Sequence, residues 1–580
     1  MPSTTSPMSE PALDPALAEL FAIAGAPEGY ARRAADRLGA RAAELLREDP
    51  WRLLRVPGVR PDQADHFARR VLERLGERPR PDDPRRGRAL VVHVLTEAAR
   101  RGHTAMTPQA VRSALGALRA PDADRAIEAA LDGAEVVPLL EEPDFDAPEG
   151  EEPPEPEESL GLARYALAEE AAGEGLRRLT ATAGPLLPEE TVRSLRAELP
   201  EDRALAFTAA DRTGVSVLHG APDDVEQTAL LIARGFAGQG VDVAVVSATM
   251  TAARHLGAGT GLYGLLEASC PPGAAAGTVA FGRDGRRPLE AGLVIVPDAQ
   301  ALDVEAVGAL VEACADGTHL VLGGDPAALP SAGPGRVLAD LAASETVPVI
   351  DLEPGDGPLA EFTGAVRNGG LATVEAPDRE VVVVPTRSER EAVHRAVQLV
   401  TDSIPRALGI PARDVQVVTP LTGGEAGAGA LNAALKARLN PGPGVCGGFD
   451  PGDRVIVAVP VEGVAAGEIG TVADASPAGL RVAFGADGDP VAVPATALSR
   501  LRHGWAAPIA LARTARPPAV VAVLPQEAAG ALSRPLAVTA FGLARRHLSV
   551  VHNAGAALAR AVREETGAPR ETRLVRLLRQ

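Results

Sequence analysis

The stretch Val215–Ser247 reads VSVLHGAPDDVEQTALLIARGFAGQGVDVAVVS, and its reading sets the fold class. Two apolar runs, VSVLHG and VDVAVVSAT, flank EQTALLIARGFAGQG, whose apolar positions recur at helical spacing. Strand, helix and strand in this order predict a parallel βαβ unit with strands buried on both faces. The alternation continues through LVIVPDA (293–299), HLVLGGD (319–325), VPVIDL (347–352), EVVVVP (380–385) and DVQVVTP (414–420). Residues 452–500 break the pattern. There GDRVIVAVP, GEIGTVADA, LRVAFGAD and DPVAVPA are short strands with glycine turns, which predicts a small β-barrel inserted in the second α/β unit.

The chain has 580 residues, enough for about four domains. Its 46% hydrophobic and 23% charged residues exclude a wholly disordered or fibrous protein. Three distant cysteines, Cys270, Cys314 and Cys446, give no disulfide framework and no zinc cluster. Every long apolar run is interrupted by charge, Pro or Gly, so no membrane span is expected. MPSTTSPMSEPALDP lacks a signal-peptide pattern, and a cytoplasmic location is the expectation.

Net charge is −19, unevenly spread. Residues 141–158 hold ten acids in eighteen positions and read as a solvated linker. Between Glu28 and Arg101 the sign reverses, with eighteen arginines against twelve carboxylates and helical periodicity throughout. Residues 86–140 look like a small helical or winged-helix unit ending in VVPLL.

Val56-Pro57-Gly58-Val59-Arg60, followed by QADHFARRVL, resembles the hairpin of a helix-hairpin-helix motif. Gly58 permits the tight turn, and the next helix offers amide donors with a partial positive charge. A weaker copy is Ala24-Gly25-Ala26-Pro27 before YARRAADRLG. The functional reading is sequence-independent contact with DNA backbone phosphates through Gly25, Arg32, Arg33, Gly58, Val59 and Arg60. The plain alternative is a packing hairpin without a ligand. Arg60 departs from the motif's usual second glycine.

The whole order resembles the long-form RecD-like DNA helicases of superfamily 1, from about residue 15 to 580. Four passages carry this resemblance: FGRDGRRPLEAGLVIVPDAQALD (281–303), LVLGGDPAALPSAGPGRVLADL (320–341), VQVVTPLTGGEAGAGALNAALKARLNP (415–441) and VTAFGLARR (538–546). The fold it implies is α/β and multidomain. A disordered tail (1–14) is followed by a helix-hairpin-helix unit (15–82), a winged-helix-like unit (83–140) and the acidic linker (141–158). Then come a first RecA-like domain (159–375), a second (376–448 and 501–580), and an SH3- or OB-like β-barrel at 449–500.

The resemblance also implies a nucleotide site, whose chemistry is missing from the matched positions. A phosphate-binding loop needs small residues, a Lys on the phosphates and a Ser/Thr on magnesium. Against the family's GGPGTGKTT stand Gly220, Ala221, Pro222, Asp223, Asp224, Val225, Glu226, Gln227 and Thr228. Glu226 replaces the Lys, and each acid would repel a phosphate by roughly 1–4 kcal/mol at ~4 Å. Lys436, the chain's one lysine, lies in another unit. Asp298 is the remainder of the magnesium-binding acid pair. Ala328 stands for the γ-phosphate-sensing glutamine, Gly357 falls near the next conserved arginine, and Leu543 replaces the finger arginine. Ala510-Leu511-Ala512-Arg513-Thr514 stands for HKSQG, and Arg203 for the adenine-reading glutamine. No spacing of histidines, cysteines or acids suggests replacement catalysis or a metal.

The reading taken is therefore a DNA-binding RecD-like protein without ATP hydrolysis, needing no cofactor, with no membrane association and with room for a protein partner. The alternatives are an active ATP-dependent helicase using ATP and magnesium through unusual residues, and an interaction scaffold that does not bind DNA.

Overall fold

The computed structural model describes residues 13–141, 157–257, 259–271, 274–485 and 489–580. The expected tail 1–14 lies outside these but for its last two residues, of which Asp14 caps the first helix by accepting from the Ala16 amide at 3.0 Å.

Four helices open the chain: α1 (Pro15–Ala24), α2 (Glu28–Leu38), α3 (Ala42–Glu48) and α4 (Pro61–Arg74). Proline at the first helical position begins α1 and α4, where its missing N–H costs nothing. Phe21 and Phe67 meet at 5.0 Å in their shared core. Next come α5 (Pro84–Arg100), α6 (Pro108–Ala117), α7 (Ala123–Asp132) and a ribbon of β1 (Val136–Glu141) with β2 (Glu157–Leu162). Three helices and an antiparallel ribbon make the winged-helix arrangement.

That ribbon corrects the expected linker. Glu141 pairs with Glu157 and Leu140 with Glu158. Both ends of 141–158 are thus strand, and the acidic residues between join two strands of one unit rather than two units. The unit ends near residue 162, where β2 passes into α8 (Ala163–Thr182).

The first lobe follows with α9 (Glu189–Arg196), α10 (Glu201–Arg212), β3 (Val215–His219), α11 (Pro222–Ala237), β4 (Val243–Ser247), β5 (Thr260–Gly261), β6 (Leu293–Val296), β7 (His319–Gly324) and β8 (Val349–Asp351). Its strands form one parallel sheet, ordered β5-β4-β6-β7-β3-β8. Every residue of β6 and β7 is buried, as their unbroken apolar runs require. α10 and α11 cover one face, where Phe207 stacks on Phe236 at 4.7 Å. α8 and the helix Val304–Ala313 cover the other.

The second lobe holds β9 (Val381–Pro385) and β10 (Val415–Thr419). The chain then leaves to build an antiparallel sheet of β11 (Arg454–Val457), β12 (Ile469–Ser476), β13 (Gly479–Ala483), β14 (Val491–Pro494) and β15 (Leu501–His503). It returns with β16 (Ala506–Pro508), β17 (Ala519–Leu524) and β18 (His547–His552). The lobe's parallel order is β16-β10-β17-β18-β9, and the inserted order is β14-β13-β12-β11-β15. Within the insert, the 3-10 turn Ala495–Arg500 carries the chain from edge β14 to edge β15. Glu468 docks the inserted sheet on the first lobe by accepting the amides of Met250 and Thr251. Arg500 docks it on α2 through Asp36 at 2.7 Å.

Three boundaries differ from expectation. β15 belongs to the inserted sheet, not to the second lobe, because it pairs with β11. The helix Pro358–Arg367 packs Phe362 and Val366 into the second lobe's core, not the first's. The C-terminal segment does the reverse: Leu574 and Leu578 enter the first lobe's core.

The C-terminal helix Leu574–Arg579 is begun by a buried acid. Glu169 of α8 accepts the amides of Arg573 at 2.9 Å and Leu574 at 3.2 Å. Burial pushes its carboxyl up from 4.5 to about 7, against the pull of those bonds. The folded chain holds a proton there that the unfolded chain gives up above pH 4.5. Stability at this site is whole below 4.5 and falls as pH climbs towards 7. Glu169→Gln should flatten this decline, by as much as about 3 kcal/mol over the window, in urea melts at stepped pH. Parallel pH profiles for the two proteins would refute the assignment.

Candidate nucleic-acid interface and interlobe cleft

The hairpins lie side by side. Gly25 takes φ +64° and ends α1, its amide bonded to Ala22 and that of Ala26 to Phe21. Gly58 takes φ +82°, a conformation that disfavours any side chain. Arg33 joins the two turns by donating to the Pro57 carbonyl at 3.3 Å while stacking over Tyr30 at 4.2 Å.

These contacts narrow what the hairpins can offer. Val59 is buried, so its side chain cannot meet a ligand, and its amide is spent on Val56. The Arg60 amide goes to Gln63 at 3.0 Å, and its guanidinium to Asp62 at 2.9 Å. Among the described residues the Gly58 amide makes no bond within the chain. Arg33 is exposed beside it, and Arg32 is exposed at the preceding position of α2.

The positions matched to a phosphate-binding loop lie between the lobes. They are mostly helix, not loop. β3 ends at His219, Gly220 and Ala221 turn, and Pro222 already opens α11. Gly220 is needed for packing, since a Cβ there would stand 3.1 Å from Leu352. Val225 is fully buried and fills the space beside Gly323. Asp223 and Asp224 occupy the first turn, where the helix dipole favours acids. Thr228 is buried, its hydroxyl unpartnered. Gln227 faces an open cleft.

Glu226 has a partner that the sequence reading missed. Arg516 of the second lobe donates Nε to Glu226 at 2.9 Å and Nη2 to Asp223, while its Nη1 meets the Gly542 carbonyl. Its side chain is only 6% exposed. A signal was present: an arginine in the apolar stretch ALARTARPPAVVAVL is buried and must find an acid.

Asp298 lies beside this cluster, both oxygens accepting the Ala248 amide at 3.1 Å. Burial, with the charge of Glu226 added, holds its carboxyl up to about 7. Asp325 is bound by Arg367 at 2.7 Å. Ala328 packs against the second lobe, and Leu543, 2% exposed, lies within that lobe's core. Arg513 gives its guanidinium to the carbonyls of Pro330 and Ala510, and burial lowers it to about 10. Trp505 is buried as core beside His503. Lys436 binds Asp450 and Asp453 at 2.7 and 2.6 Å, at the root of the inserted sheet.

A cavity of about 40 Å³ remains at the contact. A wider opening of about 680 Å³ adjoins it. Its wall carries Arg203, Arg545 and Arg546, but also Asp223, Asp224, Asp356, Asp378 and Glu380. The cleft thus pairs its buried cation internally and keeps a single acid at the magnesium position. These residues do not fit a magnesium–triphosphate. The structure brings Asp223, Glu226, Asp298, Ala328 and Leu543 to one cleft, and leaves the hairpins apart from it.

Two parallel-sheet lobes thus meet at a cleft, with an antiparallel sheet inserted in the second and helical hairpins at the N-terminus. Residues 16–105 match the family model described as the ATP-dependent RecD2 DNA helicase HHH domain. The chain is 28% identical over 539 residues to the ATP-dependent RecD2 DNA helicase of Deinococcus radiodurans, covering 89% of this chain and 71% of that one. The chain is a homologue of the RecD-like DNA helicases. Solved structures give distant likenesses. The Pif1 helicase from Bacteroides in complex with ADP-AlF3 and ssDNA is 13% identical, covers 63% of this chain and 92% of its own, and has a TM-score of 0.34. The Pif1 helicase from Candida albicans is 14% identical over 61% of this chain and 94% of its own, with a TM-score of 0.32. No helix among the described residues is long and apolar enough to cross a membrane.

Because Leu543 is core, Leu543→Arg should rebuild nothing at the cleft. It buries an unpaired charge, expected to cost roughly 3–5 kcal/mol in urea unfolding. A stability within about 1 kcal/mol of wild type, as for an ordinary surface substitution, would mean the position opens to solvent.

Proposed function

We propose that this chain is a DNA-binding member of the RecD-like lineage that works without ATP hydrolysis. One observation carries the second part: Glu226, at the position of the phosphate-binding lysine, is bonded to Arg516. An acid there repels the triphosphate, and the cation nearest to it is already engaged. The absent finger arginine and the single acid at Asp298 support the same reading. Hydrolysis in such folds rests on positioned charge, and removal of the finger alone costs about 10³–10⁵ in rate.

DNA binding is inferred from the helix-hairpin-helix resemblance and from what the relatives' names say they act on. On this chain the hairpins present the Gly58 amide with exposed Arg32 and Arg33 nearby. Such donors address phosphate rather than base edges, so the binding carries no sequence preference.

Two measurements test the proposal on the full chain. Purified protein should show no DNA-stimulated ATP hydrolysis, and a turnover above about 1 s⁻¹ that disappears in Glu226→Ala would restore the active-helicase alternative. Fluorescence anisotropy with a labelled duplex should show affinity falling about 40- to 150-fold between 50 and 200 mM salt, the slope for three or four phosphate contacts. Gly58→Val, strained at its positive φ, should weaken binding about fivefold without loss of helical signal. Affinity that ignores salt and this substitution would reject the hairpins as the contact.

A further inference from the structure

We propose that the cleft has become a lock: Arg516 and the C-terminal segment hold the two lobes closed with no nucleotide between them. This goes beyond the loss of hydrolysis and holds whether or not the hairpins bind DNA.

The contacts closing the cleft come from the chain itself. Arg516 leaves the second lobe just before β17 and enters the first turn of α11, in the first lobe. There it meets two carboxylates and stays bonded to its own lobe at Gly542. It therefore spans the gap, as a bound anion would, but with the charges reversed. Around it the lobes touch directly. Thr249 and Thr514 share a hydrogen bond of 3.1 Å, and the Leu329 amide donates to Thr539 at 2.8 Å. The Arg513 guanidinium crosses to Pro330.

A second, independent tie lies at the C-terminus. After the helix Ala556–Glu564 the chain crosses from the second lobe to the first. Arg570 donates to the carbonyls of Gly335 at 2.6 Å, Ser331 at 2.8 Å and Gly333 at 3.1 Å. Glu571 accepts the Thr104 amide at 2.9 Å, adding the winged-helix unit. Leu574 and Leu578 then insert in the first lobe's core. One strap thus joins three units.

Physical linkage gives the consequence. A ligand closes two lobes only by binding the closed form better than the open one. Where side chains of the protein supply the closing contacts, closure is intrinsic, and nucleotide has nothing left to shift.

Small-angle scattering and hydrogen exchange on the full-length protein test this. Wild type should give the same scattering profile and the same exchange in segments 220–228 and 513–519 with and without millimolar magnesium–ATP. Arg516→Ala should speed exchange in both segments about tenfold or more while α5–α7 keep theirs, the pattern of local rather than global opening. Asp223→Asn with Glu226→Gln removes the other half of the lock without stranding a carboxylate, and should do the same if Arg516→Ala fails to fold. Compaction of wild type on adding magnesium–ATP, or unchanged exchange in these variants, would overturn the lock.

Discussion

One buried cation stands at the centre of the contact between the lobes. Arg516 is almost wholly removed from water, which costs several kcal/mol unless its donors are met. Its partners Asp223 and Glu226 stand 293 and 290 residues earlier in the chain. Both lie near the start of α11, where the helix dipole already favours negative charge. These two carboxylates are therefore what makes a buried arginine tolerable. Neither half of this exchange is stable alone. A lysine at 226 would leave two cations sharing Asp223, while Arg516 gone would leave Asp223, Glu226 and Asp298 crowded together.

The fold survives such changes because its stability lies elsewhere. Each fully buried Val or Leu contributes about 1.5–3 kcal/mol, and β6, β7 and β17 consist of buried residues from end to end. Cleft side chains are few by comparison. Polar residues at strand ends serve a ligand, not the sheet, and can be exchanged while the layers persist. Leu543 shows how the two meet: it lines the cleft and is also part of the second lobe's core.

Legibility follows the same division. The parallel sheets were readable, since LVIV, HLVLGG and VQVVT each declare a strand buried on both faces within four to six residues. That Asp223, Glu226, Asp298, Ala328 and Leu543 belong together was readable from the resemblance, and the structure brings them to one cleft. What occupied it was not. The apolar stretch around Arg516 hints at its burial, but its acidic partners lie nearly three hundred residues away. Long-range pairing also hid two boundaries. Residues 141–158 carry the composition of a linker, yet Glu141 and Glu157 are opposite one another in a ribbon whose register is set by apolar neighbours such as Val136 and Leu160. LVRLL near the C-terminus is too short to announce which lobe receives it. Its destination is fixed by Glu169, which caps it from α8.

The basic N-terminal region raises a related question of where charge resides. Its eighteen arginines outnumber its acids, but many are committed internally. Arg86 binds Asp65 at 2.8 Å, Arg88 binds Asp49 at 2.7 Å, and Arg60 binds Asp62. The surplus that can meet a phosphate is smaller than the count suggests. The chain as a whole is at −19, which opposes approach to a polyanion. Screening decides between these terms. At physiological salt, charges beyond about 8 Å hardly act on one another in solvent. A phosphate at the hairpin turns would feel Arg32, Arg33 and the Gly58 amide, and little of the carboxylates on the lobes. An acidic protein can thus present a local anion-binding surface, provided its donors are clustered and its acids are distant or already paired.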